Sequence, residues 1–192
     1  MSQTYRYEPR ILRVNLTTGT ITREKKDAAW GRKYVGGMGF GTRLLWEELP
    51  PETAWNSPDN KLIFSLGALT GTTVCGSGLC CVNTIGSLTN GLSSAQTLGH
   101  WGSCLRRAGY DILIVEGEAP EWQYLFLGED TAELRPADWL LGKDTWETED
   151  ALKEALGLPG RRSSVACIGP AGEHGVRFAG IFNDKGHLAS SN

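Results

Sequence analysis

Residues 61–71 read KLIFSLGALTG, and this stretch decides the fold that the sequence predicts. It is a short continuous apolar run that ends in glycine, which is typical of a buried β-strand. Residues 163–173, SSVACIGPAGE, have the same order of an apolar run, a glycine and a turn of small residues. The likeness of the two stretches indicates an internal duplication.

A hairpin and a helix are predicted before each of these strands. Residues 10–24, RILRVNLTTGTITRE, alternate apolar and polar side chains around a TTG turn, and residues 123–137 are a second hairpin candidate. Leucines at helical spacing precede a proline pair in residues 28–51, and residues 145–160 predict another helix that glycine and proline close. The order hairpin, helix, strand therefore occurs twice.

The segment between the two halves predicts a helix from about Thr97 to Ala108, which leads into the strand DILIVEG at residues 111–117. Strands from both halves would pair in shared sheets. The sequence therefore predicts one α+β domain over residues 1–192, built from two hairpin-helix-strand pseudo-repeats at about 8–95 and 96–192.

Composition excludes several classes of protein. The net charge of −3 gives no electrostatic reason to bind nucleic acid or an anionic membrane. The first ten residues, MSQTYRYEPR, lack the apolar segment of a secretory signal, and no apolar run is long enough to span a bilayer. Five cysteines at irregular spacing favour free thiols in a reducing compartment, so we expect a cytoplasmic protein.

Residue spacing alone predicts no catalytic or metal-binding residue. The glycines of VGGMGFG, residues 35–41, do not have the spacing of a dinucleotide fingerprint, and close packing of a helix start is the favoured interpretation. Cys75, Cys80 and Cys81 lack the paired spacing of a zinc site, so we interpret them as packing residues. A nucleophilic role for Cys104 or Cys167 would need a base that the sequence does not display.

Five segments in order nevertheless resemble a known family, the N-terminal domain of tungsten-containing aldehyde ferredoxin oxidoreductases. The resemblance covers essentially the whole chain. The segments that carry it are RILRVNLTTGTI, YVGGMGFGTRLLWEELPP, SPDNKLIFSLGALTGT, AGYDILIVEGEA and IGPAGEHGVRFAGIFND.

The resemblance implies a duplicated α+β saddle on which a tungstopterin lies, a bis-molybdopterin with W or Mo and a bridging Mg²⁺. Family members oxidise aldehydes to carboxylates and pass the electrons through a [4Fe-4S] cluster to ferredoxin. The cluster ligands belong to later helical domains, so the expected partners are those domains or a catalytic subunit, together with a ferredoxin-type acceptor. An oligomer is expected, and the chain is not expected to be active alone.

The resemblance also implies which positions contact the cofactor. Backbone groups of glycine-rich turns after LIFSLG and ACIGPAG are suited to such a contact. The positions implied by the resemblance are Gly78, Leu79, Gln96, Leu98, Gly99, Leu188, Ala189, Ser191 and Asn192.

The sequence departs from the family at several of these positions. The family arginine that bridges pterin and cluster falls on Leu79, and two further arginine positions fall on Leu188 and Asn192. Leucine cannot make the bidentate bonds of arginine to a phosphate. An alternative prediction is therefore a non-catalytic relative that keeps the fold for assembly.

Other positions are compared with the family pattern by the size of their side chains. The asparagine whose backbone carbonyl meets Mg²⁺ falls on Gln96, which a backbone contact would tolerate, and a small residue is kept at Ala189. Family glycines fall on Leu98 and Ser191, whose side chains would crowd a close approach.

Overall fold

The computed structural model describes residues 7–158 and 160–190. Ser191 and Asn192, two of the predicted cofactor contacts, lie outside the described residues. The strands are β1 (Arg10–Asn15), β2 (Thr20–Lys25), β3 (Lys61–Leu66), β4 (Cys80–Ile85), β5 (Leu92–Thr97), β6 (Ile112–Glu116), β7 (Gln123–Leu127), β8 (Ala132–Pro136), β9 (Ala166–Cys167), β10 (Phe182–Asn183) and β11 (His187–Leu188). The α-helices are α1 (Ala28–Tyr34), α2 (Met38–Glu48), α3 (Trp101–Arg107), α4 (Thr145–Leu156) and α5 (Pro170–Glu173).

Six strands form the main sheet in the order β2-β1-β6-β3-β4-β5. β1 and β6 run parallel, whereas the other neighbouring pairs of this sheet are antiparallel. Strand β6 lies between β1 and β3 although it follows both in the chain, because α3 returns the chain to the middle of the sheet.

The remaining strands form two smaller sheets. β7 and β8 are an antiparallel hairpin, and β11-β10-β9 is a three-stranded antiparallel sheet. Helix α4 connects these two sheets and packs on β9. Asp144 caps α4 with a capping box to Glu147, and Gly157 ends it in the left-handed conformation at φ 63°.

Successive side chains of a strand point to opposite faces of the sheet. In the main sheet, both faces carry apolar side chains. On one face Ile11 and Ile63 pack with α2 through Phe40. On the other face Leu12 and Phe64 belong to a second core cluster, which the β7-β8 hairpin covers in part. The central strands of the main sheet are therefore buried on both sides.

Helix α2 and the residues just before it lie close to the main sheet, because the residues that face the sheet there are glycines. Gly36 has φ +137°, and a Cβ at this position would lie 2.8 Å from the carbonyl oxygen of Leu66. The amide of Gly37 donates a 3.0 Å hydrogen bond to the same oxygen. One turn further, Gly41 lies against the buried side chain of Asn83 with no room for a Cβ. The predicted role of VGGMGFG in close packing is thus confirmed.

Several predictions about the elements are confirmed and others are wrong. The α+β class, both hairpins, and the helices and strands near residues 38–48, 61–66, 112–116 and 145–156 are as predicted. The helix predicted from about Thr97 begins only at Trp101, since Leu92–Thr97 is the strand β5. The predicted buried strand in SSVACIG is two residues long and only half-buried. Strand β4 was not predicted.

The five cysteine side chains differ in their solvent exposure. Cys80 is buried and Cys81 half-buried, as expected of packing residues, but Cys75 is exposed, so the packing role predicted for it is wrong. Burial raises the pKa of the Cys80 thiol far above its ordinary value. All five cysteines are free thiols.

Within the described residues, no helix combines the length and the apolar character that crossing a membrane would require.

Candidate cofactor-facing surface

Three chain segments that are distant in sequence meet where the resemblance places the cofactor. They are residues 76–79 before β4, residues 96–100 at the end of β5, and residues 183–190 around β11. The first two touch at Gly78, where an added Cβ would lie 2.5 Å from the carbonyl oxygen of Gly99. Gly78 and Gly99 are therefore glycines that this chain needs for its own packing.

The second and third segments are joined by backbone hydrogen bonds. The amide of Gln96 donates to the carbonyl of Ser190 at 2.8 Å, and the amide of Ser190 donates to the carbonyl of Gln96 at 3.1 Å. The carbonyl of Gln96, predicted as a Mg²⁺ contact, is therefore already an acceptor within the chain.

A buried asparagine strengthens the same junction. Asn183 is 3% exposed, and its Nδ2 donates to the hydroxyl of Thr97 and to the carbonyl of His187, the latter at 3.2 Å. The Thr97 hydroxyl in turn lies 3.3 Å from the His187 carbonyl and donates to it. The side chain of a residue near the end of the chain thus orders the end of β5.

Each of the three segments exposes a leucine. Leu79, Leu98 and Leu188 are 40%, 52% and 42% exposed, and we call these three side chains the leucine surface. Leu79 and Leu188 stand at two of the positions where the resemblance implies arginine. The leucine surface can exclude water and bury apolar area, but it has no hydrogen-bond donor for a phosphate.

A carboxylate lies at this junction. Asp184 accepts a hydrogen bond from the backbone amide of His100 and another, at 2.8 Å, from the hydroxyl of Ser164. Its Oδ2 lies where a Cβ on Gly99, which has φ +109°, would come within 2.5 Å. A negative group at this point repels a phosphate.

Two basic side chains of the neighbourhood, Arg106 and Lys185, have other partners. Arg106 donates from Nη2 to the carbonyl of Gly67 at 2.6 Å and from Nε to the carbonyl of Thr70 at 3.2 Å, and it forms an ion pair with Asp111. Lys185 pairs with Asp150 at 2.6 Å. Arg106 therefore holds the loop between β3 and β4 in place of a ligand.

That loop is also fixed from within. Thr70 is buried, its hydroxyl donates to the carbonyl of Leu79 at 2.9 Å, and it accepts from the amide of Gly67 at 3.1 Å. Thr70 thus ties the two ends of the loop together and positions Leu79.

Taken together, the described residues of this surface do not fit a cofactor that bears phosphates. The backbone turns are present, but atoms of the chain itself occupy the space beside Gly78 and Gly99, and Leu79 and Leu188 stand where the resemblance implies arginine. Phosphate recognition in proteins relies on charged donors, mostly arginine and lysine.

The structure brings together seven of the predicted contacts, and their role stays a prediction. The seven residues are Gly78, Leu79, Gln96, Leu98, Gly99, Leu188 and Ala189. Sequence reasoning missed Thr70, Asn183 and Asp184, which shape the same surface. The adjacent polar pair Asn183-Asp184 after an apolar run was the only signal of the last two.

A comparison with known protein families shows to which family the chain belongs. The family described as "Aldehyde ferredoxin oxidoreductase, N-terminal domain" matches residues 11–191. The chain belongs to this family. The family resemblance drawn from the five sequence segments is confirmed.

Curated relatives of this aldehyde ferredoxin oxidoreductase family member are much longer. The tungsten-containing aldehyde ferredoxin oxidoreductase of Pyrococcus abyssi is 42% identical over 184 residues, which are 96% of this chain and 30% of that protein. An aliphatic sulfonate oxidoreductase, WOR-like subunit, of Pyrococcus furiosus is 31% identical over 96% of this chain and 31% of that protein. The chain spans less than a third of these relatives.

A solved structure has the same fold. It is the active site complex BamBC of benzoyl coenzyme A reductase with 1,5-dienoyl-CoA, which matches with a TM-score of 0.91 and 37% identity. The match covers 96% of this chain and 28% of the chain in that complex.

Proposed function

We propose that this chain is the N-terminal domain of an aldehyde ferredoxin oxidoreductase-like enzyme and that it serves there as an assembly platform. The enzyme would oxidise an aldehyde to a carboxylate and pass electrons to ferredoxin, with the tungstopterin and the [4Fe-4S] cluster held by other domains or by a catalytic subunit. The single observation that favours a platform is the exposed leucine surface, two of whose three side chains, Leu79 and Leu188, stand where the resemblance implies arginine.

A comparison of approximate binding free energies favours contact of the leucine surface with protein over contact with phosphate. Each missing charged hydrogen-bond partner of a phosphate costs about 1.5–3 kcal/mol, so the losses at Leu79 and Leu188 weaken phosphate binding by several powers of ten. Burying a leucine side chain completely is worth about 1.5–3 kcal/mol. The same residues that weaken a phosphate site therefore strengthen a contact with an apolar protein surface.

Metal analysis tests this proposal. The chain, expressed anaerobically with tungstate and molybdate and then separated from its associated proteins, is expected to keep far less than one metal atom per chain, with the metal staying on the associated proteins. Replacing Leu79 and Leu188 together by arginine is expected to raise the metal content. Leu69→Arg is the matched control, since Leu69 lies in the same loop and is 61% exposed but does not stand at an arginine position.

Association of the chain with its partner domains provides a second test of the same proposal. Leu98→Asp is expected to weaken association with the partner domains at least tenfold, measured by light scattering and sedimentation, with the chain still folded. A stable monomer that associates with nothing, or a stoichiometric metal content in the unsubstituted chain, would contradict the platform.

A second candidate function is tungstopterin binding by this chain itself. The identity of 42% to a tungsten-containing relative over 96% of the chain favours it. In this case the glycine turns after β3 and β9 would contact the cofactor through their backbone groups, and the partner domains would provide the cations. The metal analysis above separates the two candidates.

A further inference from the structure

Val35, which lies between helices α1 and α2, has a backbone conformation that valine rarely adopts. Its φ is 66° and its ψ is −40°. The amide of Gly36 donates a 2.7 Å hydrogen bond to the carbonyl of Tyr34. Val35 is therefore the central residue of a γ-turn with positive φ, which is a rare and strained turn. For a β-branched residue a positive φ is an outlier, because Cβ crowds the backbone.

The packing of the chain itself does not require a valine at this turn. The Val35 side chain is 66% exposed, so it buries little apolar area within the chain. The turn brings the amide of Gly37 to the carbonyl of Leu66, and this 3.0 Å backbone contact needs no side chain at position 35. Glycine would adopt the same conformation without strain. A strained residue with an exposed apolar side chain therefore indicates a contact outside the chain.

Two more large apolar side chains are exposed near Val35. Met38 is the first residue of α2 and is 50% exposed. Trp46 lies about two helical turns further along α2, on the same side of the helix. Its side chain is 80% exposed. Methionine and tryptophan are enriched where proteins contact other proteins, so this group of side chains is typical of an interface.

Basic residues surround these apolar side chains. Residues 23–43 contain six basic and two acidic residues, although the whole chain has a net charge of −3. Arg32 and Lys33 lie in the last turn of α1 and are exposed. Among the ion pairs of the described residues, none involves Arg32 or Lys33. This part of the chain therefore carries positive charge that can act on a partner.

The half-buried ring of Tyr34 orders cations from both helices. The Nζ of Lys33 lies 5.4 Å from the centre of the ring, and the Cζ of Arg43 lies 5.5 Å from it. Arg43 is fixed further by an ion pair with Glu47 at 2.5 Å. A cation that is already held over an aromatic ring loses less side-chain entropy when a partner binds. The basic side chains are thus partly arranged before any partner arrives.

We call Arg32, Lys33, Val35, Met38 and Trp46 the α1-α2 face. We propose that the α1-α2 face binds a protein partner that presents an apolar centre with carboxylates around it. The exposed apolar side chains require the apolar centre, and charge complementarity requires the carboxylates. The inference does not rest on the proposed platform function, because the α1-α2 face shares no residue with the leucine surface.

The charges of the chain favour such a partner over other occupants. A second copy of the chain would place the α1-α2 face against itself across a twofold axis, so that Arg32 and Lys33 would meet like charges. Nucleic acid and anionic membranes are disfavoured by the negative net charge of the whole chain. Tryptophan and arginine are also the residue types that contribute most to binding between proteins.

A synthetic peptide that repeats the unit EELLEEL is the probe. As a helix it presents leucines on one side and carboxylates on the other. Amide NMR spectra of the 192-residue chain are expected to shift at the α1-α2 face when the peptide is added, and the affinity should fall as salt is raised. The peptide that repeats KKLLKKL has the same leucines with the opposite charge, and it should bind about tenfold more weakly.

Charge reversal tests the basic part of the α1-α2 face. Arg32→Glu combined with Lys33→Glu is expected to weaken binding of the acidic peptide about tenfold. Arg161→Glu combined with Arg162→Glu is the matched control, because these residues are also an adjacent, exposed basic pair and the net charge changes equally. The control pair should change the affinity less than about twofold, since charges outside the contact act only through screened solvent.

Val35→Gly tests the strained residue itself. Glycine removes the strain but loses more backbone entropy on folding, so the folding equilibrium constant should rise about twofold to fivefold. Peptide binding should nevertheless weaken about fivefold, because an apolar contact is lost. Glu52→Gly is the control, since Glu52 also has a positive φ, 61°, but lies beyond the other end of α2. It should gain stability without weakening the binding, and a residue with a purely structural role would not separate the two effects.

Trp46→Ala provides a variant whose folding is not in question, because the side chain is 80% exposed. It should weaken peptide binding about tenfold, as expected for a tryptophan at the centre of an interface. Leu88→Ala is the matched control, since Leu88 is 87% exposed but lies in the loop between β4 and β5. The affinity of this control for the peptide should equal that of the unsubstituted chain.

Several results would overturn the proposal. Equal affinity for the acidic and basic peptides, or no shift at the α1-α2 face up to the solubility of the acidic peptide, would remove the basis for an acidic partner. Tighter binding of single-stranded DNA or of phosphatidylserine vesicles than of the acidic peptide would assign the face to nucleic acid or to a membrane. A dimer that forms with rising protein concentration and is lost in Trp46→Ala would assign it to a second copy of the chain.

Discussion

The backbone of Gln96 makes both hydrogen bonds of an antiparallel pair with the backbone of Ser190, at 2.8 and 3.1 Å. These bonds join the edge of the main sheet to the chain beyond β11, across 94 residues of sequence. Because the leucine surface lies on the segments so joined, its shape depends on this pair.

Ser190→Pro removes the amide that donates to Gln96. We expect a loss of about 1 kcal/mol in the free energy of unfolding, the net value of one hydrogen bond. Urea unfolding measures the loss, and hydrogen exchange at Gln96 should become faster. Ser190→Ala, which keeps the amide, should change the free energy by less than about 0.5 kcal/mol. Equal effects of the two substitutions would show that the pair does not stabilise the fold.

Arg106→Met should destabilise the protein strongly. Asp111, whose side chain is 2% exposed, would lose the closer of its two cationic partners and keep Arg10 at 3.7 Å, and the carbonyls of Gly67 and Thr70 would lose their donors. Removing one partner of a buried ion pair costs about 3–5 kcal/mol. Arg107→Met on the same helix is the control, since its only side-chain bond within the described residues is to the sulfur of Cys104. Urea midpoints compare the two, and a similar small loss in both would contradict the clamp.

Gly99→Ala should cost about 3 kcal/mol, of which the left-handed backbone accounts for about 1–2 and the crowding against neighbouring atoms for the rest. The neighbours are the side chains of Asn183 and Asp184. Gly142→Ala separates the two contributions, because Gly142 has φ +76° but nothing within 4 Å of an added Cβ. Thermal unfolding of both variants is the measurement, and the contribution of crowding is absent if the two losses are equal.

Glu116 makes stability depend on pH in the acid range. Burial opposes its ionisation, but hydrogen bonds and charge from Lys61 and Arg13 outweigh burial and lower the pKa of the carboxyl below 4.5. A lowered pKa in the folded state contributes stability above the unfolded value, and this contribution is lost as the pH falls through the folded value. The unfolding free energies of wild type and Glu116→Gln should therefore differ at pH 7 and converge as the pH falls through the folded-state pKa of the carboxyl. A difference independent of pH would contradict this role.

How far the sequence predicts the fold depends on the kind of signal. The hairpins, α2 and α4 follow from local alternation, spacing and caps, which are encoded over a few residues. β5 reads LSSAQT, with no apolar alternation, and it becomes a strand only because β4 pairs with it. Such a strand is fixed by tertiary context.

The cofactor-facing surface, too, could be predicted from the sequence only in part. Resemblance identified Leu79 and Leu188 as altered positions, but only the fold shows them exposed on adjoining segments. The contact of Asn183 with Thr97 joins residues 86 positions apart, and no spacing rule predicts it. The long-range polar contacts of the surface therefore could not be predicted from the sequence.

Gly41 and Asn83 occupy a single shared volume between α2 and the main sheet. A side chain at position 41 is possible only if the one at position 83 shrinks, so the two positions form one unit of variation. In a set of related sequences a residue larger than glycine at position 41 should occur only with a smaller residue at position 83. A laboratory search for stabilising substitutions at position 41 would miss every acceptable side chain unless it also made the residue at position 83 smaller.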